Sequence, residues 1–456
     1  MAEGPDTPSF DGDGGDMQPS GRIEADTTPT NEADTPPSGK THGPSLAVAF
    51  LRHDAEILLT RYRGAISAFD GRWAGLVTAV DESAAFPESA TAVRTGDPFA
   101  VRADGAELTI QPTLLDCPSR DVDLPDGATD SEWVPATEIH RRETIPGLWR
   151  AYDRVRPMPA TLEADTEHGS GYISIRAMAI VRDTAGALGA EGVGPEAAWE
   201  ALTAVAEDIL AARPSMAALR TRVDRILSRV AADDRTATTA VSVAIEEIDT
   251  ALEADRRAAE TAKPLVEGET VLTLSRSGTV LPVLKSAPDR VIVAESNPGC
   301  EGIDVAERVA AAGVNVSVCV DAAIAHVLTA ESVDAVVFGA DTVLADGTVI
   351  NKVGSRGTAL AADEAAIPLY VVTARDKIAP ARTPTLEEGP AEAVYDGDRA
   401  IDVHNPTFDV TPPEYVAGFL TEDGRLDPPN IADVADEHAA LAEWRTGSSN
   451  SGTSPE

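Results

Sequence analysis

Apolar side chains recur along this chain with two different periods, and the places where the period changes divide it. From residue 45 to about 157 the apolar runs are short: Leu46 to Leu51, Ile57 to Arg61, Leu76 to Val80, Leu108 to Leu115 and Glu132 to Val134, before a helix expected near Pro146. Runs of this length, broken by Gly, Pro and Asp, predict strands of a small α+β domain. From Tyr172 to about Val266 the spacing turns helical in four segments, Tyr172 to Leu188, Pro195 to Arg213, Met216 to Ala231 and Asp234 to Lys263, with Pro214 between the second and third. After Glu269 five β-rich runs follow, Thr270 to Ser275, Arg290 to Ser296, Asn315 to Asp321, Ala335 to Asp341 and Leu369 to Thr373, separated by amphipathic helices near Val280 to Leu284, Ile303 to Ala312, Ala322 to Leu328 and Gly357 to Ala366. A strand-then-helix alternation is the sequence form of a doubly wound parallel sheet.

The expected fold class is therefore α/β, with a C-terminal Rossmann-like parallel sheet, a preceding helical subdomain and an N-terminal α+β domain. Residues 1–44 are rich in Asp, Gly, Pro, Ser and Thr and nearly free of large apolar side chains, which predicts a disordered acidic leader. The expected divisions are 45–157, 165–266 for the helical part, 267–430 for the Rossmann-like part, and 431–456 for a C-terminal helix and disordered tail.

Charge changes the picture next. The chain carries 76 acidic against 37 basic residues, a net charge of −39, and only Lys40, Lys263, Lys285, Lys352 and Lys377 are lysines. Carboxylates spread over the whole length fit a surface that stays hydrated in concentrated salt, as in the cytoplasm of a halophilic archaeon. No Lys/Arg run is present to neutralise phosphates, so direct nucleic-acid binding is not expected. No apolar run approaches the roughly 20 residues of a membrane span, so no membrane association is expected and the location is read as cytoplasmic. Cys117, Cys300 and Cys319 are too widely spaced for a disulfide framework or a zinc site, and neither a metal nor a cofactor is expected.

Ligands of a doubly wound sheet sit at the carboxyl ends of its strands, where helix amino termini also offer free N–H groups to anions. The strand ends here are polar: Ser275, Glu295 with Ser296, Asp321 and Asp341. Ser275-Arg276-Ser277-Gly278-Thr279 is a small-residue turn suited to backbone approach to a phosphate. Asp341 leaves a buried strand, where desolvation raises a carboxyl toward acid–base work, although a turn cap is the plainer alternative. Asn351 and Lys352 follow at the same edge and suit a phosphate. His168-Gly169-Ser170-Gly171 precedes the first long helix and suits either an anion or a cap.

These residues carry a resemblance. Val337 to Gly354, containing Gly339-Ala340-Asp341 and Asn351-Lys352-Val353-Gly354, resembles the signature of the initiation factor 2B alpha/beta/delta family, which includes methylthioribose-1-phosphate and ribose-1,5-bisphosphate isomerases. Glu295-Ser296-Asn297-Pro298-Gly299-Cys300-Glu301-Gly302, Asn405-Pro406-Thr407-Phe408-Asp409-Val410-Thr411-Pro412-Pro413 and Arg213-Pro214-Ser215 resemble further family motifs in the same order. The resemblance implies that Asp341 is the acid–base partner, that Gly169, Ser170, Arg213, Ser277, Gly278, Asn351 and Lys352 contact a phosphorylated ligand, and that the chain forms a homodimer or higher oligomer. Ser275 stands where the isomerases carry an acid–base cysteine, and a serine hydroxyl is a far poorer proton carrier near neutrality than a thiol.

Arg61 to Asp81, with Gly71-Arg72-Trp73-Ala74-Gly75, resembles the opening of a Nudix domain, and Glu132-Trp133-Val134 its later strand. The stretch Asp81 to Gly96 lacks the paired glutamates of a Nudix magnesium site, and Pro87 interrupts any helix there. The expectation is a degenerate Nudix-like domain followed by a regulatory or ligand-sensing protein. That protein would bind a phosphorylated sugar or nucleotide and be linked to translation initiation, with initiation factor 2 as partner. The alternatives are a ribose-1,5-bisphosphate-type aldose–ketose isomerase and a Nudix-type pyrophosphohydrolase.

Overall fold

The computed structural model describes residues 45–63, 70–79, 86–103, 105–125, 127–165, 168–384 and 386–450. The leader expected over 1–44, the residues 80–85 at the start of the stretch compared with a Nudix magnesium site, and the last six residues of the tail lie outside the described residues.

The N-terminal strands are β1 (Ser45–His53), β2 (Glu56–Tyr62), β3 (Trp73–Ala74), β4 (Leu76–Ala79), β5 (Thr91–Thr95), β6 (Phe99–Ala103), β7 (Ala106–Asp116) and β8 (Ala128–Pro135), followed by the short helices α1 (Leu148–Asp153) and α2 (Pro159–Ala164). They form one mixed sheet of order β3-β2-β1-β7-β5, with β4 on β1, β6 on β7 and β8 on β2. β1 is apolar without alternation because both its faces are covered: Leu46, Val48 and Phe50 join a core with Tyr152 of α1, while Ala49 and Leu51 join a second core with Leu76 and Leu115. β5 and β6 escaped the sequence reading because Thr91 to Thr95 is largely exposed and offers no apolar face.

The four expected long helices are present as α3 (Ser170–Ala190), α4 (Pro195–Ala212), α5 (Ala217–Ala231) and α6 (Ala237–Val266). α6 belongs to two cores: Ala240, Val241, Ala244 and Ile248 pack in the bundle with Ile180 and Val223, whereas Ala258, Ala259, Ala262 and Val266 lie on the following sheet against Val271 and Val337. One helix thus fixes the bundle to the sheet, and its small side chains let the sheet come close.

The remaining elements are β9 (Thr270–Leu274), α7 (Leu281–Leu284), β10 (Arg290–Ala294), α8 (Glu301–Ala311), β11 (Asn315–Cys319), α9 (Ile324–Ala330), β12 (Ala335–Phe338), β13 (Thr342–Val343), β14 (Val349–Lys352), α10 (Ser355–Glu364), β15 (Leu369–Val372), β16 (Phe408–Thr411), β17 (Gly418–Thr421), β18 (Gly424–Leu426) and α11 (Pro428–Ala440). The large sheet has the order β11-β10-β9-β12-β15-β17-β18. Its first six members are parallel and β18 is antiparallel. Five parallel strands were expected, and β17 is the additional one: Gly418–Thr421 is only four residues long and follows a proline-rich stretch that reads as loop. β13, β14 and β16 form a separate antiparallel sheet, and strands of two to four residues carry too little periodicity to announce it. The C-terminal helix starts at Pro428, ahead of the expected 431, because a proline fits the first helical turn.

Bundle and sheet are also joined by buried charge. Arg222 of α5, fully buried, donates Nε to Asp376 Oδ2 at 2.9 Å and Nη1 to Ser174 Oγ at 2.8 Å. Arg225 donates to the other oxygen of Asp376 at 2.6 Å. Burial by itself would push the Asp376 carboxyl up, but the two guanidinium groups outweigh it and hold that carboxyl far below the usual carboxylate range. Asp376→Asn is therefore expected to cost about 3–5 kcal/mol at neutral pH, because it leaves buried cations uncompensated. A carboxyl depressed in the folded state adds stability above its unfolded value of about 4 and loses it as pH falls through the lower folded value. In urea unfolding the gap between wild type and variant should therefore be full at pH 7, begin to narrow below about pH 4 and close only in strong acid.

Candidate functional site

The carboxyl ends of β9, β10 and β11 are tied to one another by their polar tips. Ser275 N donates to Ser296 Oγ at 2.7 Å, and Ser296 N and Asn297 N donate to the two oxygens of Asp321 at 2.8 and 2.7 Å. These bonds hold Ser275 and Ser296 at φ of 60° and 64°, a left-handed region that residues with a side chain seldom occupy. Backbone strain of this kind persists where surrounding bonds over-determine it, and it gathers at functional sites.

Asp341 lies just past β12 at the same edge. Its N–H donates to Ile350 O at 2.9 Å, and Ser170 Oγ, at the first residue of α3, donates to its Oδ1 at 3.2 Å. Burial drives the Asp341 carboxyl above the ordinary carboxylate range, and the nearby Lys377 and Lys352 only partly oppose this. Lys377 is buried, 6 % exposed, and its Nζ donates to Ala340 O at 2.7 Å. Lys352 Nζ lies 2.7 Å from Glu301 Oε1, and Ser275 Oγ donates to the same oxygen at 3.4 Å, a long contact. Ser170, Ser275, Glu301, Asp341, Lys352 and Lys377 thus form a constellation in two bonded parts, Ser170 with Asp341 and both Ser275 and Lys352 with Glu301, linked by the electrostatic effect of Lys352 and Lys377 on Asp341.

Two close approaches permit it. A Cβ on Gly302 would fall 1.9 Å from Ala294 O, so only glycine lets α8 begin against the tip of β10 and present Glu301 there. A Cβ on Gly339 would fall 2.5 Å from Ser277 Oγ, so glycine lets the turn after β9 rest on the end of β12.

Other residues singled out from the sequence have different partners. Ser277 Oγ accepts from Val280 N at 3.3 Å, a local cap, while the Cα of Gly278 faces open space. Gly169 precedes α3 as its N-cap and has open space at its Cα. Arg213 donates to the carbonyls of Leu162 (2.8 Å) and Asp165, and stands 3.9 Å from Glu387. Asn351 is buried and its amide donates to Ser355 Oγ at 2.9 Å, toward the start of α10. There Asp409 Oδ2 accepts from Gly354 N at 2.7 Å and Arg356 N at 3.1 Å, so two of the sequence motifs meet to cap one helix.

The sequence reading passed over Lys377 and Glu301. Lys377 follows a strand end and is one of five lysines, the same signal that picked out Lys352. Glu301 sits inside a quoted motif, but nothing local shows that its carboxylate meets Lys352.

The N-terminal sheet reaches this edge through α3. Arg52 and Asp116 are register partners on the parallel strands β1 and β7, and they pair through two bonds of 2.6 and 2.9 Å. The Tyr172 hydroxyl donates to Asp116 Oδ2 at 2.5 Å, and His168 stacks on the Tyr172 ring at 3.9 Å. Among the described residues no group of three His, Cys, Asp or Glu side chains is placed to hold a metal ion, and no helix is long and apolar enough to cross a membrane.

A helical bundle leading into a doubly wound sheet, with a half-buried carboxyl near two lysines at its carboxyl edge, defines an α/β protein whose strand ends bring together groups able to hold an anion and move a proton. The chain belongs to the initiation factor 2 subunit family, whose model matches residues 166–428. It is 36% identical over 182 residues to a ribose 1,5-bisphosphate isomerase of Archaeoglobus fulgidus, covering 37% of this chain and 57% of that protein. It is 33% identical over 238 residues to a translation initiation factor eIF-2B subunit 2-like protein of Pyrococcus horikoshii, covering 50% of this chain and 82% of that protein. The crystal structure of translation initiation factor eIF-2B from Pyrococcus horikoshii is similar with a TM-score of 0.52 at 27% identity, over 60% of this chain and 96% of that one. The match thus spans less than two thirds of the isomerase's own length.

A carboxyl raised by folding makes the folded state bind a proton more tightly than the unfolded one, so it lowers stability as pH rises from the unfolded value through the folded one. Asp341→Asn, which imitates the protonated form, is expected to raise Tm at pH 7, and the gain should vanish below about pH 4. Scanning calorimetry at the two pH values checks this.

Proposed function

We propose that this chain is an aldose–ketose isomerase acting on a phosphorylated pentose, in the manner of the ribose 1,5-bisphosphate isomerases it resembles. The observation that carries the reading is the placing of Asp341 at the strand edge, bonded by Ser170 Oγ at 3.2 Å and raised by burial, with Lys352 and Lys377 nearby to receive an anion. A carboxyl raised in this way is suited to protonate a sugar oxygen as the neighbouring C–H bond breaks. The likeness to several isomerases of this name supports the substrate class, whereas the regulatory role first expected from the sequence has less support.

The reading extends to the rest of the molecule. The N-terminal sheet serves as a Nudix-like scaffold without hydrolysis, consistent with the missing paired glutamates between Asp81 and Gly96. It acts through the bond of Tyr172 to Asp116. The chain works as an oligomer in a salt-rich cytoplasm, and the exposed Val318 and Val320 on and beside the edge strand β11 favour association of the sheet halves.

A second reading has its own observation. Lys352 is already paired with Glu301, and Ser275 stands where a thiol is expected, an arrangement that suits a ligand sensor without turnover acting with initiation factor 2.

Incubation of the full chain with ribose 1,5-bisphosphate in molar salt and D2O separates the two. The isomerase reading expects the 2-ketose bisphosphate, with solvent deuterium entering at C1 only to the extent that the shuttled proton exchanges, and turnover reduced about 10²–10⁴-fold in Asp341→Asn. Binding without product, weakened in Lys352→Ala, would decide for the sensor.

A further inference from the structure

Moving a proton between adjacent carbons needs one group that donates and another that accepts. Asp341, in its buried position, is suited to donate. The remaining groups of the constellation are unequal as acceptors. Lys352 and Lys377 are cations, and the Ser275 hydroxyl holds its proton near neutrality. Cys300 is exposed and its Sγ turns to Asn297 Oδ1 at 3.4 Å and Pro298 O at 3.8 Å. Glu301 differs from all of these: its carboxylate is ion-paired with Lys352 at 2.7 Å and reached by Ser275 Oγ at 3.4 Å.

Glu301 is also firmly held. It opens α8, whose start is fixed by Cys300 N donating to Ser296 O at 2.8 Å and Gly302 N donating to Glu295 O at 3.2 Å. The Gly302 backbone rests on Ala294 O with no room for a side chain. Lys352, which affects Asp341 electrostatically, touches Glu301 directly, so the two carboxyls share one cation at the strand edge. Two carboxyl groups in unequal surroundings, one suited to give a proton and one to take it, are a recurrent acid–base arrangement, and a glutamate can serve as base toward a carbon acid.

We propose that Glu301 is the catalytic base of the isomerisation, taking the proton from C2 of the sugar 1-phosphate and delivering it to C1. This rests on the isomerase reading above. Asp341 gives its proton to the ring oxygen as the C1–O bond breaks. Glu301 removes the C2 proton, and the freed C–H electron pair becomes the C1–C2 double bond. The C2 hydroxyl then returns a proton to Asp341 as C2 becomes a carbonyl, and the double-bond pair takes the proton from Glu301 at C1. Both carboxyls end as they began, and no oxidant or reductant is consumed.

The test uses the full chain in molar salt with ribose 1,5-bisphosphate, following ketose formation, deuterium incorporation in D2O and substrate binding by calorimetry. Glu301→Gln should lower turnover about 10²–10⁴-fold while substrate binding is kept or tightened, since Lys352 is released from its ion pair. Wild-type activity together with undiminished turnover in Glu301→Gln overturns the assignment and leaves the isomerase reading standing. Parallel loss of binding and turnover overturns it as well, because Glu301 would then only order Lys352. A wild-type chain inactive on the substrate overturns both.

Discussion

The contact on which the rest of this structure leans is the buried pair of Arg222 and Asp376. Neither charge is solvated where it lies, so neither can slide from its partner without a penalty of several kcal/mol. That rigidity joins α5 of the bundle to the turn after β15, and the neighbouring residue in that turn is Lys377. Arg222 also holds Ser174, one turn along α3 from Ser170. Through one guanidinium group, then, the turn that carries Lys377 and the helix that carries Ser170 are held together beside Asp341.

The same logic of mutual restraint governs the strand tips. Ser275, Ser296 and Asp321 stitch three parallel strands together at the carboxyl edge of the sheet, and the left-handed backbone of the two serines is held by those bonds. Asp341 contrasts with Asp376. Asp376 is buried and Asp341 half-buried, but Asp376 has two arginines in direct contact and stays ionised, whereas the lysines near Asp341 act at longer range and desolvation prevails. One sheet edge therefore carries a carboxylate held ionised by two arginines and a carboxyl raised by burial, distinguished by what stands within hydrogen-bond reach.

The N-terminal sheet contributes to this arrangement from outside it. Arg52 and Asp116 are opposite each other because β1 and β7 run parallel in that register, and their pair binds Tyr172. The start of α3 is thereby held from two directions, by the sheet behind it and by Asp341 in front.

Much of the architecture was legible in the residues alone. The change of period near residues 157 and 266, the four long helices, and the strands from Thr270 onward follow from local alternation of apolar and polar side chains, because such a period is a property of neighbours in the chain. Asp341 was legible for the same reason, as a polar group ending an apolar run. β13, β14, β16 and β17 were not, since strands of two to four residues carry too little pattern and exist through their pairing. Nor could the sequence show that Lys377 lies beside Ala340, that Glu301 meets Lys352, or that the amide of Asn351 turns toward Ser355. Periodicity determined the long helices and the longer strands. The partners of the buried charges were decided only when the chain folded, because electrostatic energy depends on distance and burial in space and leaves no trace in the spacing of residues.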